Sequence, residues 1–187
     1  MAHAFRGAGR PIVHIVRLYK PDGANVDLCR RQAVQHGLRA LTPSTPGSRL
    51  AAELLPEPGL PLDVEALLAG TAQPMGPREA AIYKPRWGAF YDTPLEDHLR
   101  EHHINTLVFC GCNFPNCPHT SIYQASERDF RIVLARDALS GLYERGEHEL
   151  ASIGVHLMSA SQIADALLAA TRDAIPTGPG TRTETRR

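Results

Sequence analysis

Short apolar runs alternate with polar or amphipathic segments of helical length along most of the chain. The run Pro11–Leu18 (PIVHIVRL) is rich in β-branched residues, which is typical of a strand buried on both faces. Strands and helices alternating at this spacing predict an α/β fold with a mostly parallel sheet covered by helices on both faces. The other predicted strands are Ala80–Lys84, Leu107–Cys110, Arg131–Ala135 and Val155–Met158.

Helical segments fill most of the intervals between these strands. Asp27 is a predicted N-cap, and Thr93 with Glu96 three residues on forms a predicted capping box. The Pro/Gly-rich stretch 41–76 predicts a long connection with short helices at most. The predicted helices are Met1–Gly7, Asp27–Gly37, Thr93–His102, Cys117–Arg128, Glu144–Ile153 and Ser159–Ala170.

Length and charge narrow the class of protein. The 187 residues predict one domain over 1–172, followed by a tail, 173–187, that is predicted to be disordered because it is rich in Gly, Pro, Thr and Arg and lacks apolar residues from Thr177 on. The chain has 20 basic and 20 acidic residues, so nothing indicates a nucleic-acid partner. Its apolar runs are too short to span a membrane and no basic-then-apolar leader opens it, so we expect a cytoplasmic protein without a membrane partner.

The stretch 107–130 predicts a strand, a turn-rich loop and a helix that begins at Cys117. A thiol at a helix N-terminus meets the positive end of the helix dipole and unpaired backbone N–H groups, which favour the nucleophilic thiolate. Pro118 suits this placement, because proline is favoured in the first turn of a helix. Cys117 is therefore a candidate nucleophile, and a buried structural thiol is the alternative.

Lys84 is predicted at the end of another strand. In parallel sheets, active sites lie outside the carboxyl ends of the strands. Lys84 and the Cys117 loop are therefore expected at the same edge, although by itself a lysine at a strand end is more often solvated.

Three of the four cysteines lie within eight residues, which does not look like a disulfide framework. Cys110, Cys112, Cys117 and His119 spell C-x-C-x₄-C-x-H, which raises the alternative of a zinc site. We favour no metal, because Cys110 belongs to an apolar strand and is expected to be a small core residue.

Three short motifs follow one another in the chain: Lys84-Pro85 with Ala89-Phe90 and Thr93-Pro94-Leu95; Gly111, Cys117, Ser121 and Ala125; and the predicted loop 137–141 with Asp137-Ala138-Leu139-Ser140. In this order and spacing they resemble the motifs of the isochorismatase-like cysteine hydrolases. That superfamily includes nicotinamidases, N-carbamoylsarcosine amidohydrolases and ureidoacrylate amidohydrolases. The resemblance covers roughly residues 5–168.

The resemblance implies a three-layer α/β/α, Rossmann-like fold and a hydrolase of small amide, ureido or carbamoyl compounds. It implies no organic cofactor, no metal, and assembly into dimers or tetramers. Vinyl-ether hydrolases of the superfamily need no nucleophile. The cysteine at position 117 therefore favours hydrolysis of a carbon–nitrogen bond.

Residue roles carry over position by position. Cys117 corresponds to the nucleophile and Lys84 to the catalytic lysine, and the backbone N–H groups of Asn116 and Cys117 to the oxyanion hole. The resemblance also implies a cis peptide bond between Cys112 and Asn113. Candidates for lining the pocket, with packing as the alternative, are Trp87, Phe90, Asn113 and Phe114.

The superfamily's third catalytic residue, an aspartate ending its first strand, has no counterpart in these residues. That strand is central in the superfamily's sheet, and the run Pro11–Leu18 corresponds to the strand after it. We therefore expect either an N-terminally truncated chain or a catalytically impaired relative that binds a small ligand or a partner subunit.

Overall fold

The structure, a computed structural model, describes residues 1–38 and 41–173. Apart from its first residue, the predicted C-terminal tail lies outside the described residues. None of the described helices combines the length and apolar character that crossing a bilayer requires.

Six described strands form two three-stranded sheets. The first sheet has the order β1–β3–β2, with β1 parallel and β2 antiparallel to β3. The second has the order β4–β5–β6 and is entirely parallel. The strands are β1 (Ile12–Val16), β2 (Gln73–Gly76), β3 (Glu79–Tyr83), β4 (Thr106–Gly111), β5 (Arg131–Leu139) and β6 (His156–Met158).

Seven α-helices lie among the strands in the described residues, where helices and strands alternate as predicted except that the third helix follows the second and β3 follows β2 directly. Two 3₁₀ turns, Pro46–Ser48 and Ala52–Leu54, and one short helix lie in the long connection before β2. The helices are α1 (Ala2–Gly7), α2 (Leu28–Gln35), α3 (Val64–Leu68), α4 (Leu95–Glu101), α5 (Cys117–Ser126), α6 (Glu144–Ser152) and α7 (Ala160–Asp173). The predicted α/β class with mostly parallel pairing is confirmed.

One core joins the two sheets. Ile82 of β3 belongs to the same buried cluster as Ile132 and Leu134 of β5. A second cluster packs Leu67 of α3 and Met75 of β2 against the first sheet. Each such side chain contributes roughly 1.5–3 kcal/mol by leaving water. The long connection is therefore a packed part of the domain.

The side chains of β1 and β4 are less buried than predicted. Within the described residues each of these strands pairs along one edge only. The prediction that β1 is buried on both faces is wrong in part, because Val13 and Ile15 are only partly buried. Cys110 of β4 is exposed, so its assignment to the core is also wrong. A strand without a neighbour on one side leaves side chains near that edge open to solvent.

Two local predictions fail. The segment predicted as a loop from Asp137 belongs to β5, which continues to Leu139 because that residue pairs with Gly111 of β4. The capping box is absent: Pro94 is the N-cap of α4, and the Thr93 hydroxyl donates to the Ala89 carbonyl at 2.6 Å and accepts from the Leu95 N–H at 3.4 Å. Strand β2 was not predicted, since its sequence Gln-Pro-Met-Gly has little strand propensity; as an edge strand it tolerates proline.

Candidate active site

Cys117 is the first residue of α5, as predicted, and its side chain is partly exposed. The loop before it contains the expected cis peptide bond between Cys112 and Asn113. Ser140, in the third motif, fixes this loop from the side: its N–H donates to the Gly111 carbonyl at 2.9 Å, and its carbonyl accepts from the Phe114 N–H at 2.8 Å. The third motif therefore supports the loop that carries the thiol.

The residue after Ser140, at position 141, must be glycine. Gly141 has φ +71°, and a Cβ there would lie 2.3 Å from the Asn113 side-chain oxygen. A larger residue at position 141 would push on Asn113, the second residue of the cis peptide bond.

Phe114 has no exposed surface. Its ring packs against His119 and Tyr143, at centroid distances of 5.1 and 5.4 Å. A side chain enclosed in this way holds the loop in position and does not present a surface to a ligand.

Lys84 directly follows β3 and is 4% exposed. Its ammonium donates to the carbonyl of Arg86 at 3.0 Å and to that of Trp87. Burial lowers the pKa of Lys84, and the adjacent Cys117 thiol opposes that shift by raising it. The structure thus brings together the two residues predicted to be catalytic.

Ser121 connects the lysine segment to α5. Its hydroxyl donates to the Cys117 carbonyl at 2.6 Å and accepts from the Ala89 N–H at 3.0 Å. This residue, found in the sequence only as a motif position, therefore links the first turn of α5 to the segment after Lys84.

A second link lies one turn further along α5. The Phe90 N–H donates to the side-chain oxygen of Gln124 at 3.1 Å. Gly88 allows this approach, because a Cβ at that position would lie 2.0 Å from the same oxygen. Nothing in the sequence pattern singled out Gln124.

The predicted oxyanion hole is only half available. The Asn116 N–H donates to the Asn113 carbonyl at 3.1 Å and is not free for a substrate. Cys117 stands at the first position of α5, where an N–H has no partner within the helix. Its N–H is the donor that remains.

The other three pocket candidates differ in accessibility. Trp87 is partly buried and Asn113 is exposed, so both can meet a ligand. Phe90 is 6% exposed and stacks on Phe130 at 5.8 Å, which makes it part of the core.

The zinc alternative finds no support. In residues 1–38 and 41–173, no group of three or more His, Cys, Asp or Glu side chains is placed to hold a metal ion.

Sequence reasoning missed a charged group beside Lys84. Arg17 follows β1 and is buried against Asp27, while Arg86 lies two residues after Lys84 with its Nε 3.8 Å from the same carboxylate. Asp27 is the N-cap of α2, as predicted, but its carboxylate makes no capping bond because it pairs with Arg17. The rule that selected Lys84, a polar residue directly after a parallel strand, also selects Arg17.

Comparison with known proteins gives one family. The isochorismatase domain family matches residues 1–163. A segment of 59 residues is 42% identical to an uncharacterized isochorismatase family protein of Escherichia coli O157:H7, covering 32% of this chain and 31% of that protein. A segment of 60 residues is 40% identical to a ureidoacrylate amidohydrolase of Methylorubrum extorquens, covering 32% and 24%. Each match therefore spans less than a third of the relative.

Solved structures show the same fold. An isochorismatase family protein of Desulfovibrio vulgaris superposes with a TM-score of 0.71 at 24% identity, over 89% of this chain and 80% of that one. An N-carbamoylsarcosine amidase of Thermoplasma acidophilum superposes with a TM-score of 0.61 at 19% identity, over 84% and 76%. At these identities the likeness establishes the three-layer α/β/α architecture.

Proposed function

Because this chain belongs to the isochorismatase family, we propose that it hydrolyses a carbon–nitrogen bond of a small amide, ureido or carbamoyl compound through an acyl intermediate on Cys117. The observation that carries the proposal is a thiol at the first position of α5 near the buried ammonium of Lys84, with the Ser121 hydroxyl joining the Cys117 carbonyl to the segment after Lys84. Two similar proteins, an N-carbamoylsarcosine amidase and a ureidoacrylate amidohydrolase, support the substrate class.

The reaction has two halves. The Cys117 thiolate attacks the carbonyl carbon, and the amine then leaves with a proton to form a thioester. Water attacks the thioester, releasing a carboxylic or carbamic acid and restoring the thiol. The reaction consumes one water molecule for each carbon–nitrogen bond that it breaks.

Two features of the site assist the first half. The Cys117 N–H at the start of α5 can donate to the developing oxyanion, and such a donor is worth roughly 3 kcal/mol of barrier. The Lys84 ammonium stabilises the thiolate electrostatically, because both groups are partly shielded from water. Its two carbonyl acceptors hold it in that orientation.

One observation favours a second candidate function. In the described residues, both hydrogen bonds of the Lys84 ammonium go to backbone carbonyls and none to a carboxylate. A nucleophile that must be regenerated needs a general base, such as a carboxylate or an imidazole, to take up and return its proton. The absence of a carboxylate on Lys84 within the described residues fits a catalytically impaired relative that binds its ligand without turning it over.

Ammonia release from a panel of amides, ureido acids and carbamoyl compounds tests the proposal. Cys117→Ala is expected to lower the rate by a factor on the order of 10³ or more, since it removes the nucleophile. Cys110→Ala is the matched control, because this exposed thiol lies seven residues earlier and has no assigned role. Acid-quenched wild type should carry the acyl mass on the Cys117 peptide.

Equal rates in wild type and Cys117→Ala would remove Cys117 from the mechanism. Saturable binding of a panel compound with no ammonia release by the wild type would instead establish the binding-only alternative.

A further inference from the structure

The segment 85–90, which follows Lys84, belongs to no strand or helix. No ladder or helical hydrogen bonds therefore fix the positions of its peptide groups. Two of its carbonyls, those of Arg86 and Trp87, are the acceptors of the Lys84 ammonium. Side chains that fix this segment consequently fix the orientation of the ammonium as well.

One face of α5 supplies these fixing contacts. Cys117, Ser121 and Gln124 are spaced four and three residues apart, and residues at this spacing lie on the same face of a helix. The Ser121 hydroxyl accepts from the Ala89 N–H at 3.0 Å. The Gln124 side-chain oxygen accepts from the Phe90 N–H at 3.1 Å. The helix face that carries the thiol thus also holds the segment after Lys84.

The side-chain amide of Gln124 also packs against Gly88. A Cβ on Gly88 would lie 2.0 Å from the amide oxygen, 2.3 Å from the amide carbon and 2.6 Å from the amide nitrogen, so the whole group covers this glycine. The nitrogen of Gly88 belongs to the same planar peptide group as the Trp87 carbonyl. Gln124 therefore contacts the residue next to one acceptor of the Lys84 ammonium.

Gln124 is itself held in place. It is partly buried, and its backbone carbonyl accepts from Nη1 of Arg128 at 2.9 Å. The guanidinium carbon of Arg128 lies 5.2 Å from the centre of the Phe90 ring, and its Nε donates to Glu96 at 2.9 Å. These contacts restrict both partners of the hydrogen bond between Gln124 and Phe90.

We propose that Gln124 is a positioning residue, which keeps the Lys84 ammonium beside the Cys117 thiol by holding the segment that carries the two acceptors of the ammonium. The inference rests on the proposed function, in which this ammonium stabilises the thiolate. A buried ammonium needs acceptors to keep its charge, and burial already lowers the pKa of Lys84. Loss of the Gln124 contacts should therefore make the thiolate less stable.

Alkylation of Cys117 by iodoacetamide across a range of pH tests this inference without a substrate, because the thiolate is the reacting form. Fragment ions in mass spectrometry distinguish Cys117 from Cys110 and Cys112, which lie on the same tryptic peptide. Gln124→Met removes the acceptor at nearly constant side-chain size. It should move the midpoint of the pH profile upward by roughly one pH unit, because the thiolate loses part of its stabilisation by a neighbouring cation.

Two variants separate this effect from a general loss of packing. Gln124→Glu keeps an oxygen that accepts from the Phe90 N–H, so its profile should stay near that of the wild type. Gln73→Met is the matched control: Gln73 is also partly buried, and its side-chain oxygen accepts from the Asp63 N–H at 2.8 Å on edge strand β2. It should leave the midpoint unchanged. Urea unfolding measures the stability that each variant loses.

Gly88→Ala changes the same contact from the other side and serves if Gln124→Met does not fold. Its added Cβ displaces the Gln124 amide, so the midpoint should again move upward. In a Gln124→Ala host, which leaves room for that Cβ, Gly88→Ala should have no further effect.

An unchanged profile in folded Gln124→Met or in Gly88→Ala would overturn the inference, even where stability falls. So would an equal shift in Gln73→Met, or a shift in Gln124→Glu as large as in Gln124→Met. Ammonia release tests the hydrolase proposal separately. A shifted profile in a chain that releases no ammonia would support the positioning role and reject the hydrolase, and ammonia release with an unchanged profile would do the reverse.

Discussion

Clusters of charged side chains lie at both ends of β1 and β3, and they differ in how completely their hydrogen bonds are made. At the amino ends, Glu79 accepts from Arg6 at 2.8 and 2.6 Å and contacts His14 at 2.6 Å, so both carboxylate oxygens are bonded. At the carboxyl ends, Arg17 and Asp27 meet through one atom each, and their other buried polar atoms have no partner among the described residues. The same two strands thus support one complete and one incomplete cluster.

This difference bears on stability. A buried ion pair stabilises a fold only when its remaining donors and acceptors are also satisfied. The Glu79 cluster meets that condition and ties α1 to the first sheet. The Arg17 cluster does not. We therefore assign a stabilising role to the first cluster only.

Glu79→Gln should give the largest effect on stability, about 3 kcal/mol lower free energy of unfolding. The substitution leaves the guanidinium of Arg6 without its carboxylate and His14 without a charged partner. Urea unfolding monitored by circular dichroism measures the change.

Glu96→Gln is the control for that measurement. Glu96 pairs with Arg128 at 2.9 Å but is 41% exposed, so its loss should cost less than about 1 kcal/mol. Similar losses in the two variants would show that the amino-end cluster has no special structural role.

Asp27→Asn should have a smaller effect on stability, about 1–2 kcal/mol, because Asp27 makes one hydrogen bond to Arg17 whereas Glu79 makes three to Arg6 and His14. Urea unfolding measures this change beside that of Glu79→Gln. A loss in Asp27→Asn as large as in Glu79→Gln would contradict the distinction between the two clusters.

Acid should weaken the amino-end cluster in a defined range of pH. The hydrogen bond from Arg6 lowers the pKa of Glu79, burial opposes this, and His14 adds to the lowering. A carboxyl group whose pKa is lower in the folded state contributes stability above its unfolded pKa of about 4.3, and loses it as the pH falls through the folded value. The difference in unfolding free energy between wild type and Glu79→Gln should therefore shrink below about pH 4.3. A constant difference down to pH 3 would show that the charge of Glu79 does not stabilise the fold.

Local pattern was enough to single out the two proposed catalytic residues. A strand, a turn-rich loop and a helix opened by Cys117 are all encoded within about twenty neighbouring residues. Lys84 was singled out because it ends a strand at the edge where parallel strands end, and because it belongs to the first of the three motifs. Strand β2 could not be found in this way, since its pairing with β3 and not its own residues makes it a strand.

Contacts between distant residues decided the rest. Residues 17, 27 and 86 are separated by 10 to 69 positions, and no periodicity shows that their side chains meet. From its place before α5, the Asn116 N–H was expected to be available to a substrate. The loop instead turns the carbonyl of Asn113 toward it, and that carbonyl accepts its hydrogen bond. Whether a buried polar atom has a partner depends on every element packed around it. Side-chain chemistry and local spacing therefore determine which groups can react, and only the packed structure determines which are satisfied and which remain open to a ligand.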